Sequence, residues 1–81
     1  MKMTSIKIDT YDISDEKDGY MIDIVTTDED YEAWIYHKDY TDKQFMYSCS
    51  KEQETYESFI KLVTMGNIKG HIKYYQNTYI N

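Results

Sequence analysis

The sequence predicts an α+β domain: an antiparallel four-stranded meander packed against a C-terminal helix, with a second short helix behind it. Three observations predict it. Apolar and polar residues alternate through the first half of the chain, turn chemistry separates the alternating runs, and the period changes to that of a helix after residue 50. At 81 residues the chain reads as one domain, 1–81.

The first strand is marked by Ile6 and Ile8 alternating with Lys7 and Asp9. Ser14-Asp15-Glu16-Lys17-Asp18-Gly19 is a turn, in which Asp-Gly supplies the residue that tolerates positive φ. The second strand sends Tyr20, Ile22 and Ile24 inward and Met21, Asp23 and Val25 outward, so the first two strands form a hairpin. Thr27-Asp28-Glu29-Asp30 breaks the chain again. Residues 31–37 are β-branched and aromatic, with Ala33 and Ile35 on one face and Trp34 and Tyr36 on the other. A turn at 38–43 leads to a short fourth strand, 44–48, carrying Phe45 and Tyr47. Short connections join neighbouring antiparallel strands, which makes a meander the simplest arrangement.

Ser50-Lys51-Glu52-Gln53 has the pattern of a capping box, in which a hydroxyl and a Gln side chain satisfy the free amides of a helix start. Tyr56, Phe59, Ile60 and Val63 follow as one apolar stripe. Glu52, Glu54 and Glu57 lie early and Lys61 late, as the helix dipole prefers, and Gly66 is a natural stop. Ile68, Ile72, Tyr75 and Tyr79 then fit a second helical stripe; Ile72 and Tyr74 also alternate like a strand, and the helix is the preferred reading.

Charge is distributed unevenly. All 15 acidic residues lie between Asp9 and Glu57, while residues 58–81 carry only Lys61, Lys69 and Lys73. A net charge of −6 discourages direct binding to nucleic acid or anionic lipid and favours basic partners. One cysteine, Cys49, makes no internal disulfide and fits a reducing compartment, and no apolar run reaches signal-peptide or membrane-spanning length. A cytoplasmic protein is therefore expected, one that gains stability from a partner or as a homodimer, because a core this small yields only ~3–5 kcal/mol.

No constellation of an enzyme or a cofactor site is expected. Ser14, Glu16, Asp18 and Gly19 match four positions of a calcium loop, but the bidentate Glu position is Val25. Paired carboxylates need a shaped cleft that a domain this size does not offer. His37 and Cys49 are the one conceivable base and nucleophile; they read as a surface histidine and a half-buried cysteine. His71, beside Lys69 and Lys73, reads as solvated. No metal site, catalytic residue or glycine-rich phosphate loop emerges.

The acidic runs have two readings, a solvated polar surface or a surface imitating nucleic-acid phosphates. Same-face strand residues recur every ~6.6–6.8 Å, against a phosphate every ~3.4 Å along each DNA strand, so carboxylates on neighbouring strands reach a similar charge density. The ten tyrosines exceed what the core can hold, and exposed aromatics mark interfaces. The predicted partner-binding residues are Asp15, Glu16, Asp18, Asp28, Glu29, Asp30 and Glu32 for field and association rate, with Tyr31, Trp34 and Tyr36 as anchors.

The segment from Phe45-Met46-Tyr47-Ser48-Cys49-Ser50 through Glu52, Glu54, Tyr56, Phe59 and Ile60 to Gly66 resembles the strand-to-capped-helix unit of small phage-encoded anti-CRISPR proteins that inhibit Cas9. The resemblance covers residues 45–66. It implies an acidic inhibitor, a DNA mimic that occupies a basic groove of a nucleic-acid-binding enzyme; no site residue carries over from it. A homo-oligomeric module whose aromatic face is its own interface, and an immunity or antitoxin protein against a basic toxin, are the alternatives.

Overall fold

In the computed structural model, which describes residues 5–80, four strands form one antiparallel sheet in the order β1-β2-β3-β4. They are β1 (Ile6–Asp12), β2 (Tyr20–Thr26), β3 (Asp30–His37) and β4 (Gln44–Ser50). Two helices follow, α1 (Tyr56–Met65) and α2 (Ile68–Tyr75), and Gln76–Ile80 continue as one π-helical turn. The expected meander and both expected helices are present.

Alternation places the core. Tyr20, Ile22 and Ile24 of β2 and Ala33 and Ile35 of β3 are buried on one sheet face, against Phe59 and Val63 of α1 and Ile68, Ile72 and Tyr75 of α2. Each large side chain removed from water in this way contributes ~1.5–3 kcal/mol.

Two bulges modify the expected pattern. Register shifts between Lys7 and Asp9, so that Asp9 and Tyr11 oppose Ile24 and Ile22. Ile6 and Ile8, which alternate as a core pair would, remain 56 % and 45 % exposed. Their strand is the sheet edge, and the helices pack over β3 and β4 instead. A second shift pairs Ala33 with Tyr47 but Trp34 with Phe45, which leaves Met46 as the inserted, buried residue. Phe45 and Tyr47, two apart, are thereby sent to opposite faces.

The helix begins later than the capping box predicts. Ser50 is held in the sheet, paired with Asp30, and Lys51 N–H donates to the Glu29 carbonyl at 2.9 Å. The Ser50 hydroxyl accepts from Glu52 N–H in a turn, and Thr55 caps α1 by accepting from Ser58 N–H at 3.1 Å. Ladder pairing at the end of β4 therefore outcompetes the box. Glu52 and Glu54 precede the helix, and only Glu57 lies in its first turn.

Gly66 stops α1 as expected, but with extended backbone instead of a left-handed cap. Glycine is needed there because a Cβ would lie 2.6 Å from the Tyr47 hydroxyl and 2.8 Å from the Leu62 carbonyl oxygen. Asn67 caps α2 by accepting from Gly70 N–H at 3.1 Å. The buried Tyr75 hydroxyl donates to the Asp42 carbonyl at 2.6 Å and ties α2 to the β3–β4 loop.

Gly19 has φ +87°, as the Asp-Gly pair predicts, and a Cβ there would strike the His37 imidazole. Gly19→Ala is expected to cost about 1–2 kcal/mol from the backbone alone, read as a lower urea midpoint at unchanged slope.

Candidate functional site

A meander puts its first and second turns at opposite ends of the sheet, and this divides the predicted acidic residues. Asp15, Glu16 and Asp18 occupy the β1–β2 loop. That loop is pinned by buried Ile13, whose carbonyl accepts from Glu16 N–H at 2.9 Å and Lys17 N–H at 3.3 Å. Asp28 and Glu29 lie in the β2–β3 turn and Asp30 opens β3, ~23 Å away at the strand rise of ~3.3 Å per residue.

The second turn is rigidly made. Buried Thr27 accepts through its hydroxyl from Glu29 N–H at 3.3 Å and Asp30 N–H at 3.0 Å, and its own N–H donates to the Asp30 carbonyl at 2.9 Å. Asp28 and Glu29 are exposed. With Asp30, Ser50, Lys51 and Glu52 they line a surface cavity of about 270 Å³. The described residues contain no group of three or more His, Cys, Asp or Glu side chains arranged to hold a metal ion.

Little of this charge is neutralised internally. Among the described residues one lysine–carboxylate ion pair forms, Asp23–Lys43 at 2.6 Å. His37 Nδ1 lies 3.9 Å from Asp39 Oδ2 and accepts from the Asp39 N–H at 3.1 Å, a hydrogen bond and not an ion pair. Lys69 and Lys73 share a cavity with Glu16 and Lys17 without forming an ion pair.

The predicted anchors divide between the two faces of the sheet. Tyr31 lies on the helix side, its ring 5.9 Å from Phe59 and 5.4 Å from Tyr56, with the Lys51 ammonium 5.3 Å from its centre. Glu32, Trp34 and Tyr36 lie on the opposite face, which neither helix covers. There Trp34 meets Phe45 edge-on at 5.4 Å, and its indole N–H donates to Glu32 Oε1 at 3.2 Å.

At the centre of this outer face lies Asp23, which alternation alone assigns to solvent. It is only 1 % exposed. Thr10 and Tyr36 hydroxyls donate to Oδ1 at 2.9 and 3.1 Å, and Lys43 Nζ donates to Oδ2 at 2.6 Å. Burial by itself pushes the carboxyl up, but the hydrogen bond from Lys43, the Thr10 bond and the lysine charge outweigh it and hold Asp23 below its ordinary value. Burial, with the Asp23 charge added, pushes the Tyr36 phenol up. Lys43 also lies 4.8 Å from the centre of the Tyr36 ring. The sequence signal was the pairing of Thr10 with Asp23 across the first hairpin. The lysine, twenty residues further on, carries none.

The remaining candidates are structural in their surroundings. His37 is not a surface residue; its ring packs against Tyr20 at 4.9 Å and Tyr40 at 5.4 Å. His71 packs on Tyr47 at 5.0 Å, and burial pushes it down. Cys49 is half-buried, and burial and the Glu54 charge push its thiol up, away from the reactive thiolate. Among the described residues no helix is long and apolar enough to cross a membrane. Compared with protein-family models, curated proteins and solved structures, the chain has no match.

Proposed function

We propose that this chain is an acidic binding protein that inhibits a nucleic-acid-handling protein by occupying its basic groove. The observation that carries the reading is the bipolar layout: two acidic turns, few of whose carboxylates meet a cation of the same chain, flank an uncovered sheet face bearing Trp34, Tyr36 and Phe45. The two acidic turns lie ~23 Å apart along the strands of a body that measures 36 × 28 × 17 Å. A groove that binds DNA by releasing counterions is drawn to such a body for the same reason. The acids supply long-range attraction, and the aromatic residues supply short-range contact. The resemblance of residues 45–66 to anti-CRISPR inhibitors points to the same class of target.

The test has two steps. Immobilised protein is incubated with a bacterial lysate and eluted with rising salt, and the protein released is purified and loaded with its nucleic acid. The chain is expected to displace that nucleic acid, and Asp28→Lys, Glu29→Lys and Asp30→Lys together are expected to slow association about tenfold while changing dissociation little. Binding that ignores salt, or a target that keeps its nucleic acid, overturns the reading. A chain that captures nothing and runs as a stable dimer supports the self-associating alternative.

A further inference from the structure

The outer sheet face holds a cavity of about 300 Å³ lined by Ser5, Asp23, Val25, Glu32, Trp34 and Lys43. Tyr36 and Asp23 already form a cradle for a cation: the Lys43 ammonium binds the carboxylate at 2.6 Å and lies 4.8 Å from the ring centre. The same pair of groups recurs one step along β3. Trp34 presents a larger ring, and Glu32 is fixed to it through the indole N–H at 3.2 Å. Among the described residues no lysine lies over Trp34, and the second Glu32 oxygen accepts no hydrogen bond.

We propose that this cavity takes an arginine side chain of the partner, its guanidinium stacked on Trp34 and forked to Glu32, its methylene stem against Val25. Three features select arginine. The ring and carboxylate are adjacent and mutually fixed, which suits a planar group that stacks and donates in one plane. The wall beside them is apolar, which suits a stem that stays buried while its head is charged. The chain is acidic overall, which brings a basic group in. The occupant, an arginine of a protein, rests on the basic-partner reading; the cradle itself is tested without that partner.

The probe is the tripeptide acetyl-Gly-Arg-Gly-amide, titrated into the ¹⁵N-labelled chain while following the indole N–H of Trp34, the chain's one tryptophan. The resonance is expected to shift and saturate. The citrulline tripeptide, which keeps the shape and loses the charge, is expected to bind at least ~10-fold more weakly. Glu32→Gln, which keeps an acceptor for the indole, is expected to abolish saturation of the indole shift, and Trp34→Leu, followed through the backbone amides of Val25 and Glu32 in the cavity wall, to abolish theirs, whereas Asp28→Asn leaves both. Citrulline binding as well as arginine, or shifts spread without saturation over both acidic turns, overturns the proposal; so does a lysine tripeptide that binds as tightly. If Glu32→Gln and Trp34→Leu capture the basic target as well as the parent does, the partner reading stands and the cradle falls. If arginine saturates the indole but no salt-sensitive target exists, the cradle stands and the partner reading falls.

Discussion

Replacing Phe59 by alanine is expected to abolish cooperative unfolding at 25 °C. The ring is 1 % exposed, stacks 5.9 Å from Tyr31, and joins α1 to the sheet. Deleting a buried aromatic costs ~3–5 kcal/mol, transfer and cavity together. A domain this small has ~3–5 kcal/mol in all, so the loss matches the whole margin. Near-ultraviolet circular dichroism should collapse, and the urea transition should lose its plateau. Leu62→Ala, on the same helix but 49 % exposed, is the control and is expected to stay within ~0.5 kcal/mol of the parent. A cooperative transition in Phe59→Ala at the parental midpoint would show that α1 does not hold the sheet.

Lys43→Met is expected to cost ~2–3 kcal/mol at neutral pH. Breaking a buried ion pair costs ~3–5 kcal/mol, and the lower figure follows because the lysine side chain is 47 % exposed and its charge partly screened. The sign of the pH dependence is more telling than the size. In the parent, the Asp23 carboxyl is held below its ordinary 3.8, so its stabilisation is complete above that value and is lost as pH falls through the folded-state pKa. Without the lysine, burial is the leading influence left, and it pushes the carboxyl up. The variant then regains stability as pH falls from neutral, because protonation relieves a buried charge. Subtracting the two urea-midpoint profiles cancels the shared contribution of the other acids. The difference should shrink on mild acidification; one that stays constant to pH 4 would mean that the Thr10 and Tyr36 hydrogen bonds hold Asp23 ionised without the lysine, and would overturn the prediction. Asp23→Asn combined with Lys43→Met should recover much of the loss, since no buried charge then lacks its partner.

Much of the architecture was legible, for reasons that particular residues make plain. Tyr20, Ile22 and Ile24 alternate between two strong turns, and one of those turns contains Gly19, so register and face follow together. Phe59 and Val63, one helical turn apart, both land in the core. The bulges at Ile8 and Met46 were not legible, because an inserted residue leaves the composition of its strand unchanged and only the partner strand reveals the slip. Ser50 misled for a related reason: its hydroxyl suits a helix start, while its backbone is claimed by Asp30 across the sheet.

The candidate site was legible in its residue types and misjudged in its assembly. Grouping Asp15 with Asp28 overlooks that successive turns of a meander face opposite ways, a point the predicted topology already contained. Placing Tyr31 with Trp34 overlooks the parity of a strand, since an odd spacing changes face. Asp23 was the hardest residue to place, because its burial is made by three side chains from β1, β3 and a loop. No local pattern encodes that meeting.

Asp42 and Lys43 are neighbours in the chain, and they serve opposite sides of the sheet. The carbonyl of the first receives the Tyr75 hydroxyl from α2, and the ammonium of the second reaches Asp23 on the outer face. One peptide link thus works as a rivet through the slab. Whatever lifts the last helix from its seat also slackens the loop that holds the lysine over the strands, and the two surfaces share a single mechanical fate.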